Sequence, residues 1–262
     1  VTSIYIGVGG WVFPEWRDNF YPKGLSQKRE LEYAAGKLTA IEINGTYYGS
    51  QKPESFVRWH DETPEDFVFT LKGPRFATNR RVLAEAGSSI EKFLTSGVTR
   101  LKSKLGPINW QFMATKKFDA EDFAAFLALL PKSQDGVALR HAVEVRHDSF
   151  ACEEFVALCR KHNVAIIAGC DAEFPCIADV TADFVYARLM GTTEKEKLGY
   201  SRPAIARWAA RAKDWQAGGA PADLKLVAKA APKKKRDVFA FVISGAKAKN
   251  PAAAMALIEA LK

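Results

Sequence analysis

Histidine is scarce in this chain: His60, His141, His147 and His162 are the whole supply, and no H-E-x-x-H spacing occurs. A His-rich metal centre is therefore not expected. Cysteine is equally sparse. Cys152, Cys159, Cys170 and Cys176 form no C-x-x-C pair, and no histidine follows at zinc-finger spacing. All four are expected as buried, reduced thiols, with a structural metal as the remote alternative. The G-x-S-x-G elbow of the serine hydrolases is missing. So is the dinucleotide fingerprint, because Gly7-Val8-Gly9-Gly10 is followed by Val12 where the third glycine belongs. No apolar run approaches the ~18 residues that span a bilayer, and Val1-Thr2-Ser3-Ile4 carries no signal-peptide pattern. The expectation is a cytoplasmic protein with no membrane partner. No pattern in the chain specifies a cofactor or an oligomeric state.

What is present points to one architecture. At 262 residues, the chain has the size of one α/β barrel, so a single domain over residues 1–262 is expected. Short strand-like runs occur at Ile4–Gly9, Ala40–Asn44, Phe67–Lys72, Pro107–Phe112, Ala142–Arg146, Val164–Gly169, Phe184–Leu189 and Val238–Ile243. Amphipathic stretches separate or follow most of them: Lys28–Lys37, Pro53–Asp61, Ser89–Ser103, Ala120–Leu130, Cys152–His162, Pro203–Gln216 and Pro251–Leu261. In Ala120–Leu130, Phe123, Phe126, Leu127 and Leu130 share one helical face, and Asp119 stands at the N-cap position. Alternating β and α units imply a parallel sheet with right-handed crossovers, and eight of them close into a (β/α)₈ TIM-like barrel. The connection after the sixth strand, Asp171–Asp183, lacks a helical pattern and is expected to be irregular.

The formal net charge of +8 suits anionic partners, whether a small metabolite or nucleic acid. Part of that excess is the run Lys233-Lys234-Lys235-Arg236, which reads as a solvated loop.

The strands themselves carry the functional signal. Parallel strands covered on both faces should be almost continuously apolar, yet several here alternate. Glu42 and Asn44 share one face of the second strand; Thr70 and Lys72, Asn109 and Gln111, Glu144 and Arg146, and Tyr186 and Arg188 do the same in later strands. Because side chains alternate across a strand, each pair points one way. In a barrel, that way is the axis, and the pairs crowd toward the C-terminal strand ends where barrel enzymes build their sites. The competing reading is a buried ion-pair network in which Glu42 and Glu144 neutralise Lys72, Arg146 or Arg188. His147 has the opposite parity and heads the following loop. Trp11, Phe13, Trp16, Phe20 and Tyr21 are expected to anchor the loop after the first strand, with Tyr47 and Tyr48 after the second. The segment Leu189–Ser201, which ends near Tyr200, is long enough to form a lid.

At these residues, the chain resembles the DUF72 (YecE-like) family of barrel proteins, whose function is unestablished. The resemblance rests on Tyr5-Ile6-Gly7-Val8-Gly9-Gly10-Trp11, Phe13-Pro14-Glu15-Trp16-Arg17, Phe20-Tyr21-Pro22, Glu42-Ile43-Asn44-Gly45-Thr46-Tyr47-Tyr48 and Lys72-Gly73-Pro74. It continues through Leu105-Gly106-Pro107 to Gln111, Glu144-Val145-Arg146-His147, Tyr186-Ala187-Arg188 and Gly191. It implies a barrel with its site at the C-terminal face. The chain departs from the family pattern at Asn79 and Met190, where histidines are frequent, and at Ile243-Ser244, where asparagine is common. No mechanism needing several histidines carries over.

Two functional classes follow. The first is an enzyme acting on a small phosphorylated or carboxylated substrate, with Glu42, Glu144 and His147 as candidate acid–base residues. Asn44, Tyr47, Lys72, Gln111, Arg146, Tyr186, Arg188 and Tyr200 would bind the substrate. No protein-held metal is expected; a Mg²⁺ shared by Glu42, Glu144 and substrate phosphates is the one metal the pattern leaves open. The second class is a nucleic-acid-binding or ligand-sensing barrel without turnover.

Overall fold

A computed structural model describes residues 2–262; Val1 lies outside the described residues. Among the described residues ten strands occur: β1 Ile4–Gly9, β2 Ala40–Ile43, β3 Val68–Lys72, β4 Leu105–Gln111, β5 Ser133–Gln134, β6 Val137–Ala138, β7 His141–Glu144, β8 Ala165–Ala168, β9 Phe184–Leu189 and β10 Asp237–Val242. The short antiparallel pair β5–β6 stands apart. The other eight close a parallel barrel in the order β1-β10-β9-β8-β7-β4-β3-β2. All eight strand-like runs in the sequence are barrel strands. β1 closes on β10 in a register that pairs Ile6 with Ala240 and Val8 with Val242.

Around the barrel lie α1 Glu30–Ala35, α2 Gly45–Tyr48, α3 Pro53–Asp61, α4 Arg75–Thr78, α5 Gly87–Leu94, α6 Ala120–Ala128, α7 Glu153–His162, α8 Arg202–Gln216 and α9 Asn250–Leu261. The connection after β8 contains no helix, as its lack of periodicity implies. Asp119 caps α6 by accepting the Asp122 backbone N–H at 3.0 Å. Phe123, Phe126 and Leu127 are buried beneath α6, each contributing about 1.5–3 kcal/mol of burial. Among the described residues, no helix is long and apolar enough to cross a membrane.

Strand parity partitions the interior. Ile41, Ile43, Phe69, Leu71, Trp110, Val143, Val145, Val185 and Leu189 face the helices and join the large outer core. Tyr5, Ala40, Val68, Ala142, Ile167, Phe184, Tyr186, Phe239, Phe241 and Ile243 face the axis and pack as a separate cluster. Apolar side chains therefore fill the lower barrel, and the polar members of the same parity take its upper end.

Four expectations require correction. Cys170 and Cys176 are not reduced thiols; they are joined in a disulfide that closes a short loop after β8, and only Cys152 and Cys159 are free, the former half-buried. Arg236 does not belong to the solvated basic run: it is buried, and its guanidinium donates to the carbonyls of Ala182, Gly218, Pro232 and Lys234. Lys233, Lys234 and Lys235 are exposed. The amphipathic stretch Ser89–Ser103 is two pieces, α5 and a 3₁₀ segment Val98–Lys104. They are split at Gly97, whose φ of 106° and close approach to Pro53 exclude a side chain. Finally, α2 and α4 form directly at strand ends where the sequence reads as loop.

Candidate active site

The polar strand residues meet at the C-terminal end of the barrel in two tiers. The lower tier holds Glu42, Thr70, Asn109 and Tyr186, all fully buried. The Tyr186 hydroxyl donates to Glu42 Oε2 and lies 3.0 Å from Thr70 Oγ1, so Thr70 is the donor in that second contact. Asn109 Nδ2 reaches Glu42 Oε2 at 3.4 Å. The upper tier holds Lys72, Gln111, Glu144 and Arg188, with Arg146 just beyond the end of β7. Arg188 joins the tiers: Nη2 donates to Glu42 Oε1 at 2.9 Å, and Nη1 donates to Glu144 Oε2. Arg146 clasps the other Glu144 oxygen through Nε at 2.7 Å and Nη2 at 2.5 Å.

Local packing sets these positions. Gly73 follows Lys72 directly, and a Cβ there would sit 2.3 Å from the Trp110 ring, so the chain can turn at this point only over a bare α-carbon. Trp110 is itself held by a hydrogen bond from its Nε1 to His141 Nδ1 at 3.1 Å, while His141 Nε2 meets the Pro131 carbonyl at 2.7 Å. Burial pushes the His141 imidazole down to about 4, so it remains a neutral strut. Thr46, in α2, donates to the Lys72 carbonyl at 2.7 Å and braces the end of β3.

Charge is distributed unevenly across this cluster. Burial alone would raise the Glu144 carboxyl, but Arg188, Arg146 and Lys72 outweigh it and hold the group below the usual carboxylate range. Arg188 is likewise opposed by burial, yet Glu144 and Glu42 raise it above its ordinary value. Tyr186 is driven well up by burial and by Glu42 beside it. Lys72 is the exception. Among the described residues, no carboxylate pairs with it; Nζ donates to the neutral Gln111 Oε1 at 2.6 Å and lies 4.4 Å from the Tyr47 ring centroid. Burial, then the Arg188 charge, lowers its ammonium from 10.5 to about 8 against the opposing pull of Glu42 and Glu144. Two further groups lack protein partners: Asn109 Oδ1 and Arg188 Nε are buried and unpaired, each at a cost of about 1–3 kcal/mol.

Of the residues singled out in the sequence, Glu42, Lys72, Gln111, Glu144, Arg146, Tyr186 and Arg188 form this one network, with Tyr47 against Lys72. Asn44 lies to the side, half-buried. It lines a cavity of about 330 Å³ with Gly9, Trp11, Phe13 and Trp59. His147 is not in the network. Its Nδ1 accepts the Ser149 backbone N–H at 3.1 Å and caps the short 3₁₀ turn Asp148–Phe150. Tyr200 is also separate. Its hydroxyl donates to Asp171 and accepts the Gly191 N–H at 2.9 Å, while Asp171 takes the Met190 N–H at 2.8 Å. Trp16 and Tyr21 serve as loop anchors: Trp16 Nε1 donates to the Lys247 carbonyl at 2.8 Å, and the Tyr21 hydroxyl to that of Trp11 at 2.5 Å.

Sequence reasoning missed Asp171 and Phe174. Both lie in the helix-free connection after β8, where no periodicity marks any residue. Asp171 ties that connection to the end of β9, and the Phe174 ring lies 4.4 Å from the Arg146 guanidinium. Among the described residues, no group of three or more His, Cys, Asp or Glu gathers as a metal site. Between Glu42 and Glu144, the place a bridging cation would take is held by the Arg188 guanidinium.

Residues 5–262 match the family described as protein of unknown function DUF72. The chain belongs to the DUF72 family. The UPF0759 protein YecE of Escherichia coli (strain K12) is 31% identical over 150 residues, which are 56% of this chain and 50% of YecE. The match thus spans about half the length of that relative. Among solved structures, the DUF72 protein TM1631 of Thermotoga maritima superimposes with a TM-score of 0.71 at 22% identity, covering 98% of this chain and 97% of its own. SacUVDE shares the fold at a TM-score of 0.52 and 9% identity, covering 100% of this chain and 98% of its own. These structural likenesses extend the DUF72 barrel and carry no chemistry.

Proposed function

We propose that the barrel mouth binds a small carboxylated or phosphorylated metabolite and transforms it by acid–base chemistry, with Lys72 as the proton-transfer group. One observation carries this reading: the Lys72 ammonium has no carboxylate partner, whereas both nearby carboxylates already have arginine partners. A buried cation is costly; Glu42 and Glu144 offset that cost only in part, and an anionic ligand supplies a counter-charge in direct contact. Arg146, half-buried at the rim, is the second cation within reach of such a ligand. Glu144 is a poor proton acceptor because two arginines stabilise its ionised form. Glu42 serves to seat Arg188 and Tyr186. A group that titrates near 8 is better matched to proton transfer at neutral pH. In this reading, His147 offers only Nε2, since its Nδ1 is occupied by Ser149.

The test is turnover. Wild-type protein and Lys72→Met are incubated with a panel of small organic acids and phosphate esters, and product is sought by mass spectrometry. Product formed by wild-type protein alone supports the reading; equal product from both removes Lys72 from the chemistry.

A second reading has its own support. Tyr48 and Phe76 are 66% and 61% exposed, and the Arg75 guanidinium lies 5.4 Å from the Phe76 ring. Such a surface suits stacking of single-stranded bases. Binding of a short oligonucleotide that weakens steeply with salt and survives Lys72→Met favours this reading.

A further inference from the structure

We propose that Lys72 forms an iminium (Schiff base) with the carbonyl carbon of an anionic aldehyde or ketone, such as a 2-oxo acid or a phosphorylated ketone. This rests on the anion-binding part of that reading, names its substrate class, and makes Lys72 the nucleophile in place of the proton-transfer group. Of the two buried lysines, Lys104 spends its Nζ on the His60 and Thr63 carbonyls and the Thr63 hydroxyl, whereas Lys72 lies among the charged groups of the barrel mouth. Lys72 is a buried residue whose Nζ is held by one neutral acceptor and one aromatic face, with the Arg188 and Arg146 guanidinium groups opposing its charge and Glu42 and Glu144 favouring it. A lysine becomes a nucleophile at neutral pH when desolvation and neighbouring cations favour its uncharged form, and both conditions meet here. Arg146 at the rim is placed to hold the carboxylate or phosphate of the same molecule. Glu42 and Glu144 carry two negative charges that Arg188 and Arg146 together balance, which leaves Lys72 as the surplus cation of the cluster.

The step balances without any further reactant. The Lys72 ammonium and the carbonyl compound give the iminium and water: the C–N bond forms, the carbonyl oxygen departs, and the two protons lost from nitrogen leave with it as water. The positive charge stays on nitrogen, within the field of Glu144 and Glu42. An iminium is an electron sink, so the bonds it activates are those adjacent to the original carbonyl carbon.

The experiment is reductive trapping on the full chain. Protein is incubated with glyoxylate, pyruvate, dihydroxyacetone phosphate or neutral propionaldehyde in the presence of sodium cyanoborohydride, and the modified lysines are mapped by peptide mass spectrometry. The expected result is saturable labelling of Lys72 by an anionic carbonyl, about tenfold or more faster than labelling of Lys233–Lys235 at pH 8. That site-specific labelling should disappear in Lys72→Arg, whose fold is checked by circular dichroism. Labelling of Lys72 no faster than of the exposed lysines overturns the proposal. If inorganic phosphate or pyruvate still raises the melting temperature through Lys72 while nothing is trapped, the imine falls and the anion site stands. If propionaldehyde labels Lys72 as fast as the anionic probes do, the imine stands and the anion site falls.

Discussion

Lys72 carries an energetic signature that can be measured without knowing a ligand. In the unfolded chain it keeps its proton up to about 10.5, and in the folded chain only up to about 8. Between these values, the unfolded state binds more protons, so stability rises with pH across that window. Below about 8, the buried ammonium lowers stability. Lys72→Met should therefore stabilise the protein at pH 7 by about 1–3 kcal/mol and flatten the rise in stability between pH 8 and 10.5. Urea denaturation at several pH values gives both quantities, and a destabilised Lys72→Met would show that the ammonium is well compensated. Arg188 is the opposite case. Arg188→Met leaves Glu42 and Glu144 buried beside one another without their shared cation, and should cost about 3–5 kcal/mol. The same denaturation measurement checks it. At this scale, the sequence was legible where parity operates: alternation alone places Glu42, Thr70, Lys72, Asn109, Gln111, Glu144, Tyr186 and Arg188 on the axis. It could not reveal which partner each takes, because pairing across strands depends on barrel register. Nor could it separate Arg236 from its lysine neighbours, since a buried guanidinium bound by carbonyls has no local sequence signal.

At the scale of the element, the connection after β8 matters most. Without a helix to position it, it relies on the Cys170–Cys176 disulfide and on Asp171, which receives the Met190 and Gly191 backbone N–H groups and the Tyr200 hydroxyl. Asp171→Ala should release the start of the segment Leu189–Ser201. Amide exchange at Met190 and Gly191 should then accelerate by about tenfold or more, the opening free energy falling by about 1–3 kcal/mol. Unchanged exchange at those amides would mean that the carboxylate is not what holds the loop. The strands and long helices were readable from periodicity, and the missing helix from its absence. The disulfide was not, because neither spacing nor composition shows that the chain brings Cys170 and Cys176 together. Gly97 splits the amphipathic stretch Ser89–Ser103 for a reason visible only in three dimensions: Pro53 approaches its α-carbon from another element.

For the molecule as a whole, the barrel divides its interior by height. Apolar side chains close the lower half, so the polar tiers above them are cut off from bulk water on one side. That low-dielectric floor strengthens the Glu42–Arg188–Glu144 interactions and raises the cost of a Lys72 ammonium with no carboxylate in direct contact. The family match over residues 5–262 and the likeness to TM1631 agree on this architecture; the chemistry belongs to the side chains at the mouth. The most direct measurement is the melting temperature of wild-type protein and of Lys72→Met with graded pyruvate, inorganic phosphate and other small anions at constant ionic strength. A ligand specific for the folded wild-type barrel should add about 2.7 kcal/mol at a hundredfold excess over its Kd, and Lys72→Met should lose that gain. Equal shifts in the two proteins would contradict the assignment of the anion site to Lys72.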